Sequence, residues 1–523
     1  MAVLGRFRRH GAASGAPSGA PSGAPSDAPP RASGLTWLSA FRHPWVALLA
    51  GAVHTGSFAP SPAWWLQPLA LAWLCWAALG ARPRRAALLG GLFGVGWLAS
   101  GLWWLYISMH DFGHLPGVVS GLAVVLLAAF LSLYYALAVG LAARGSGPPW
   151  ARALAFAALW LAAELARATL FTGFPWIASG YAHTQGPLAT FAPWVGVYGI
   201  TALSACAASA LATRAWRLLG VMLLIVSLGQ VLPSGFTQPA GELAVSLVQP
   251  NIPQDQKFDR DRFEDNLNQL STLIESARGQ LVITPESVLP LPLAWLDPVQ
   301  TERLQRAAAQ RPLLLGTFLG NEQAGYVNSL VALGTPAPYD YGKRHLLPFG
   351  EFIPPGFHWF VRAMRIPMDD QAHGTHQRAL SFAGQRLRPL ICYEDLFGED
   401  VVASALDQGE ASATVLVNAS NLAWFGPRMV QDQHLQFSQM RALEFQRPLV
   451  RATNTGATAL VDHEGRVVSR LPAEQAGVLE VRVQGRRGET PYARWLAAFG
   501  LWPLWALAVL GLVPVLIHRR RAR

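Results

Sequence analysis

The stretch Pro389-Leu390-Ile391-Cys392-Tyr393-Glu394-Asp395-Leu396-Phe397 is an apolar run that breaks abruptly into acidic residues. A short apolar run bounded in this way reads as a buried strand, and the break as a tight turn with a thiol at its tip. The two other cysteines, Cys75 and Cys206, lie in apolar stretches long enough to cross a membrane. The water-facing part of the chain therefore holds one thiol. It has no intrachain disulfide partner there, and nucleophilic attack is the use that carries chemistry.

Around this strand, residues 233–493 alternate short β-rich runs with amphipathic helices. Strands are expected at Leu243–Val248, Leu281–Thr284, Pro312–Phe318, Asn328–Leu333, Leu387–Cys392, Thr414–Asn418, Leu449–Thr453, Ala457–Asp462 and Gly477–Val483. Helices fit Asp261–Arg278, with Phe263, Leu267, Leu270 and Ile274 at helical spacing, and Met429–Gln446. Asp462-His463-Glu464-Gly465 reads as a hairpin turn. The alternation predicts a layered α/β domain.

Two polar residues share the setting of Cys392. Glu286 follows the strand ending at Thr284, and Lys343 sits in Tyr341-Gly342-Lys343-Arg344-His345. Both fall at strand ends or beside them, where α/β sheets place reacting groups. Acids at strand ends are usually solvated and loop lysines usually lie on the surface. The ordered set of acid, lysine and thiol, each in a Pro- and aromatic-rich context, is much rarer by accident. Lysine choice sharpens this: of 41 basic residues only Lys257 and Lys343 are lysines. A lysine kept among arginines suggests a need for a compact ammonium that titrates. For Lys257, chance is the favoured account.

The first 232 residues carry 13 arginines against three acids, Asp27, Asp111 and Glu164. Residues 1–34 repeat Gly-Ala-Pro-Ser, a composition that buries no core and predicts disorder; their charged start leads into this tract, unlike a cleavable signal peptide. The expected parts are this tail, a helical membrane domain over 35–232, a catalytic domain over 233–493, and a membrane helix with a basic end over 494–523. Apolar spans are expected near 43–60, 63–80, 86–108, 116–143, 153–172, 187–212, 216–232 and 495–517, seven crossings and one more. Arginines follow the second, fourth and sixth spans, and the loops after the first, third and fifth have none. By the positive-inside rule residues 233–493 then lie outside, in the periplasm of a cell that has one. The basic balance comes from membrane-flanking loops, so it gives no nucleic-acid-binding face. Glu164 and Arg167 share one helix face within a span. Two accounts stand open: an ion pair, or a polar contact to a lipid headgroup or to the docked soluble domain.

These residues resemble the nitrilase superfamily of carbon–nitrogen hydrolases, whose catalytic set is Glu, Lys and Cys. With the multi-span envelope, the chain is more closely similar to the apolipoprotein N-acyltransferase family. Leu247–Gln254, Lys343–Pro354, Cys392-Tyr393-Glu394 and, in the membrane part, Thr172–Trp176 carry the likeness, which covers about residues 40–515. The resemblance implies a helical membrane bundle plus an α-β-β-α sandwich in the bacterial inner membrane. It implies Glu286 as general base, Lys343 as oxyanion-stabilising cation and Cys392 as nucleophile, supported by Glu351, Tyr393 and Glu394. It implies no cofactor and no metal. The reaction would move an acyl chain from a phospholipid to Cys392 and then to the amine of an apolipoprotein's diacylglyceryl-cysteine. Phe258 departs from the family, where Trp is expected.

The chemistry agrees. A nearby cation lowers a thiol's pKa, and Glu286 can accept its proton. A transferase must also exclude water. Pro290–Leu296 with Trp295, 352–368 with Phe357 and Trp359, and Asn421–Gly426 with Trp424 are unusually apolar connections. They form either a lid facing the lipid or ordinary packing against the sandwich or bundle. Two other readings remain: a membrane-anchored amidase that releases acid to water, and a transporter or sensor indifferent to Cys392.

Overall fold

The computed structural model describes residues 41–521 apart from 258, 260, 364–369, 376–377, 406–411 and 428. In the region from 233 onward, period-two patterning builds two six-stranded sheets. The strands are β1 Thr237–Gln249, β2 Leu281–Ile283, β3 Leu313–Asn321, β4 Gly325–Leu333, β5 Tyr339–Gly342, β6 Leu380–Phe382, β7 Gln385–Ile391, β8 Val415–Ser420, β9 Leu449–Thr453, β10 Ala459–Val461, β11 Val467–Arg470 and β12 Gly477–Gly488. The first sheet runs β12-β1-β2-β3-β4-β5 and the second β11-β10-β9-β8-β7-β6. β1, β2 and β3 are parallel neighbours, as are β7, β8 and β9. Each sheet is extended by antiparallel strands on both sides.

Alternate residues divide between two cores. Val245, Leu247, Leu281, Ile283 and Leu314 join Leu387, Leu390, Val415 and Val417 in the core between the sheets. Val248, Val282, Leu313 and Leu315 point the other way, onto Leu267, Leu270 and Ile274 of the helix Phe263–Ser276 and Leu304 of the helix Pro298–Gln310. On the second sheet's outer side lies the helix Met429–Phe445. The order is helix, sheet, sheet, helix, as expected. All nine expected strands are present. Three more, β5, β6 and β11, are three or four residues long and carry too little pattern to read. The hairpin turn holds: Gly465 takes φ +75° and its N–H reaches the Asp462 carbonyl at 3.0 Å.

The expected apolar spans are helical, with three differences. Gly117–Ala142, Pro149–Thr172, Pro187–Thr213 and Trp502–Arg520 are long and apolar enough to cross a membrane. The span expected at 86–108 is a helix Pro83–Gly101 followed by Leu105–Phe112, bent by 64°. Pro44–Thr55, Leu66–Ala78 and Trp216–Gly229 have 12, 13 and 14 residues. At 1.5 Å per residue each falls short of a hydrocarbon core of about 30 Å. The span expected at 495–517 is broken: Pro491–Phe499 ends at Gly500, φ +56°, and a new helix starts at Trp502 with Pro503 in its first turn.

The helix Met429–Phe445 joins the two halves. Gln433 Oε1 accepts from Trp104 Nε1 at 3.2 Å and Trp176 Nε1 at 2.8 Å, and Glu444 Oε1 accepts from the Val197 N–H at 2.7 Å. That N–H is free because Gly196, at φ +66° and ψ −177°, breaks the helix Ala192–Thr213. A Cβ at Gly196 would meet the Tyr492 ring at 2.2 Å, so close approach of the two halves requires glycine there.

Candidate active site

Each member of the expected set sits just past a strand. Glu286 follows β2, Lys343 follows β5, and Cys392 follows β7. Lys343 Nζ donates to Glu351 Oε1 at 2.7 Å and lies 3.2 Å from Glu286 Oε1. Lys343 is 1% exposed, so both contacts form away from bulk water. Asn328 of β4 completes the bracket: its Nδ2 donates to Glu286 Oε1 at 2.8 Å and Glu351 Oε1 at 3.2 Å, and its carbonyl accepts the Lys343 N–H. The other Glu286 oxygen accepts the Asn421 N–H at 2.9 Å. Glu351 Oε2 also accepts the Leu347 N–H, which fixes the lysine loop.

The nucleophile turn is held by Glu394. Its carboxylate accepts N–H groups from Ile391 and Arg344 at 2.7 Å and from His345 at 3.2 Å, and the Tyr341 hydroxyl at 2.8 Å. One buried acid thus ties the thiol turn to the residues after Lys343. Burial pushes this carboxyl above its usual range, against the pull of those N–H groups and Arg388. Cys392 takes φ +52°, a conformation that side chains rarely adopt, and Asn418 Nδ2 donates to its carbonyl at 3.2 Å. Tyr393 turns toward the helical half. Its hydroxyl donates to the Gly173 carbonyl at 3.0 Å and its ring stacks on Phe174, 6.2 Å between centroids.

That loop is braced by Glu164 and Arg167. They pair at 2.8 Å with both side chains fully buried. Glu164 Oε1 accepts the Ser179 hydroxyl and N–H, and Arg167 Nη1 donates to the Phe174 and Trp176 carbonyls. The pair is structural, and it shapes the loop that meets Tyr393.

Electrostatics correct one expectation. Burial, and then the Glu286 carboxylate, push the Cys392 thiol well above its ordinary value, and Lys343 pulling the other way does not offset them. For Lys343, burial opposes the charge, but Glu286 and Glu351 outweigh it and hold the ammonium well above the usual lysine value. The direction of the thiol's shift favours a resting sulfur that keeps its proton.

The expected aromatic residues are spread out. Phe258 lies outside the described residues. Trp295 is 64% exposed and edge-on to Tyr326 at 5.7 Å, and Trp359 is 67% exposed. Trp424 is half-buried and packs edge-on against Phe112 at 5.7 Å, while Phe425 meets Trp104 at 4.8 Å. The loop Asn421–Gly426 therefore packs on the helical half. Asn328 and Asn421 were not singled out from the sequence. An Asn inside the mostly apolar run of β4 was the available signal for the first. No metal-holding group of His, Cys, Asp or Glu occurs among the described residues.

Two family models match the chain. One, described as the apolipoprotein N-acyltransferase N-terminal domain, covers residues 50–210, and the other, carbon-nitrogen hydrolase, covers 244–492. An apolipoprotein N-acyltransferase of Ralstonia nicotianae is 45% identical over 92% of this chain and 94% of its own length. One of Verminephrobacter eiseniae is 45% identical over 88% and 94%. Among solved structures, a carbon–nitrogen hydrolase superfamily protein of Xanthomonas campestris with an arsenic adduct in its active site aligns over 50% of this chain and 96% of that one, at 18% identity and a TM-score of 0.37.

Proposed function

This chain belongs to the apolipoprotein N-acyltransferase family, and on that premise we propose that it N-acylates apolipoproteins through a thioester on Cys392. The observation that carries the mechanism is the buried bracket of Glu286, Lys343 and Glu351, whose charges act on the Cys392 thiol. Because the resting sulfur is protonated, attack and proton transfer are coupled. Glu286 takes the Sγ proton as Sγ bonds to the carbonyl carbon of a phospholipid ester. The carbonyl oxygen becomes an oxyanion, and Lys343 stabilises it. Collapse breaks the ester C–O bond. Glu286 returns the proton to the leaving oxygen, and a lysophospholipid departs.

The second half-reaction reverses the roles. The α-amine of a diacylglyceryl-cysteine adds to the thioester carbonyl and gives a proton to Glu286. Collapse then forms the amide, and the leaving sulfur regains that proton. Glu351 holds Lys343 in place and Glu394 holds the nucleophile turn. Tyr393 anchors that turn to the Gly173 loop, which supports a site opening toward the helical half and hence toward lipid. The arginine pattern of the loops supports an inner-membrane protein with this site on the periplasmic side.

The test is a mass spectrum. Purified protein incubated with phospholipid gives an acyl adduct, lost on hydroxylamine treatment, on the peptide containing Cys392. An active preparation without that adduct sinks the thioester scheme.

A further inference from the structure

The two lysines of this chain end up beside consecutive residues. Lys343 Nζ lies 3.2 Å from Glu286 Oε1, and Lys257 Nζ donates to Ser287 Oγ at 3.0 Å. Lys257 is 3% exposed. It ends the short helix Gln254–Lys257, far in sequence from the acid, so the fold rather than local chain order brings it there. The cavity it lines with Asn266, Leu267 and Val288 has a volume of about 10 Å³, room for one water at most. An ammonium there costs free energy and is kept for a reason other than solubility.

The residue it holds is strained. Ser287 has φ +42°, a left-handed conformation in a residue with a side chain, and it immediately follows Glu286. Such a turn persists only where its surroundings fix it. We propose that Lys257 is a positioning residue for Glu286: its ammonium holds the Glu286–Ser287 turn and sets a second positive charge behind the base. Lys343 acts on the carboxylate from the substrate side, and Lys257 from within the protein. Burial lowers Lys257 to about 8, with Glu286 opposing. The helix Phe263–Ser276 faces it with Phe263, Asn266 and Leu267, and the acids of that helix's first turn, Glu264 and Asp265, are exposed. The charge that acts on Lys257 is therefore that of Glu286.

This inference rests on the thioester reading, and one experiment separates the two. Full-length protein in phospholipid vesicles is followed between pH 5 and 10. The readouts are the rate of acyl adduct formation on Cys392 and overall transfer to a diacylglyceryl-cysteine peptide. Lys257→Met is expected to be about tenfold slower near pH 7, because the turn that aims Glu286 loosens. Its acidic limb moves to higher pH, because a lost cation lets Glu286 hold its proton longer. Lys257→Arg restores the limb and most of the rate. Ser287→Ala moves the limb the same way by less. A Lys257→Met enzyme with unshifted limbs, whether slow or not, overturns the proposal. Should that variant not accumulate, an unshifted limb in Ser287→Ala does the same. If the wild-type protein transfers without an adduct, the thioester reading fails, and the limbs of overall transfer still decide the role of Lys257.

Discussion

At the residue scale, the site is a charge arrangement that works only if complete. Lys343 neutralises two carboxylates that would otherwise repel each other in a buried place. Lys343→Met removes the sole cation of that bracket and is expected to cost about 3–5 kcal/mol of stability, the usual penalty for breaking a buried pair, along with activity. Lys343→Arg keeps the charge, but a planar fork cannot replace an ammonium seated at 2.7 and 3.2 Å from two oxygens. It should fold and still lose about a hundredfold or more in acylation, the size of a lost oxyanion contact. Thermal unfolding and adduct formation, measured on both variants, separate these outcomes. The protonated thiol has its own consequence. Since burial and Glu286 keep the proton on sulfur, Cys392 in the free enzyme should react with iodoacetamide at pH 8 at least about tenfold more slowly than a peptide cysteine. Fast alkylation, read by mass spectrometry, contradicts a neutral resting sulfur.

At the element scale, the helix Met429–Phe445 shows what was legible and what was not. The sequence predicts it within a residue, yet its burial is hidden, because many of the residues it buries are polar. Gln433, His434, Arg441 and Glu444 are all fully or almost fully covered. Burial follows hydrophobicity only where polar groups lack partners, and here the partners come from a sheet and a bundle far away in sequence. The sandwich strands were readable for the opposite reason: buried parallel strands carry continuous apolar runs. The triad residues were readable because each follows such a run, whereas Asn328 and Asn421 act through contacts that only folding creates. Glu444 makes the point testable. Burial pushes it up to about 7, with Arg441, 3.0 Å away, opposing. The folded chain thus holds a proton that the unfolded chain gives up near pH 4.5. As the pH rises from about 4.5 to 7, this carboxyl removes stability. Glu444→Gln mimics the protonated carboxyl and should change stability little near pH 4.5. It should also flatten the fall of the unfolding midpoint across that window. An unchanged slope would mean that Glu444 is ionised throughout.

At the scale of the whole molecule, the catalytic layers and the helices form one folded unit. Here Phe437 packs edge-on against Trp176 at 4.9 Å and tilted against Tyr181 at 4.5 Å, the Tyr181 hydroxyl donates to the Leu396 carbonyl at 3.0 Å, and Tyr393 reaches Gly173. The nucleophile turn is therefore shaped on one side by the sandwich and on the other by the bundle. Cutting the chain to residues 233–493 would expose the covered face of the helix Met429–Phe445, with Arg441 and Glu444 parted from Tyr181 and Val197. It would also leave Tyr393 without its carbonyl partner. Apolar area uncovered on that face costs about 25 cal/mol per Å², and the freed polar groups gain water only by loosening the turn that carries Cys392. The fragment is expected to aggregate or to bind a hydrophobic dye, and to form no acyl adduct even with detergent-dispersed phospholipid. Size-exclusion chromatography and the Cys392 mass spectrum check both. A monomeric, acylating fragment would show that the bundle serves only as an anchor. Failure of the fragment together with activity of the full chain places part of the active site's support in the bundle, through the Gly173 loop that Glu164 and Arg167 brace.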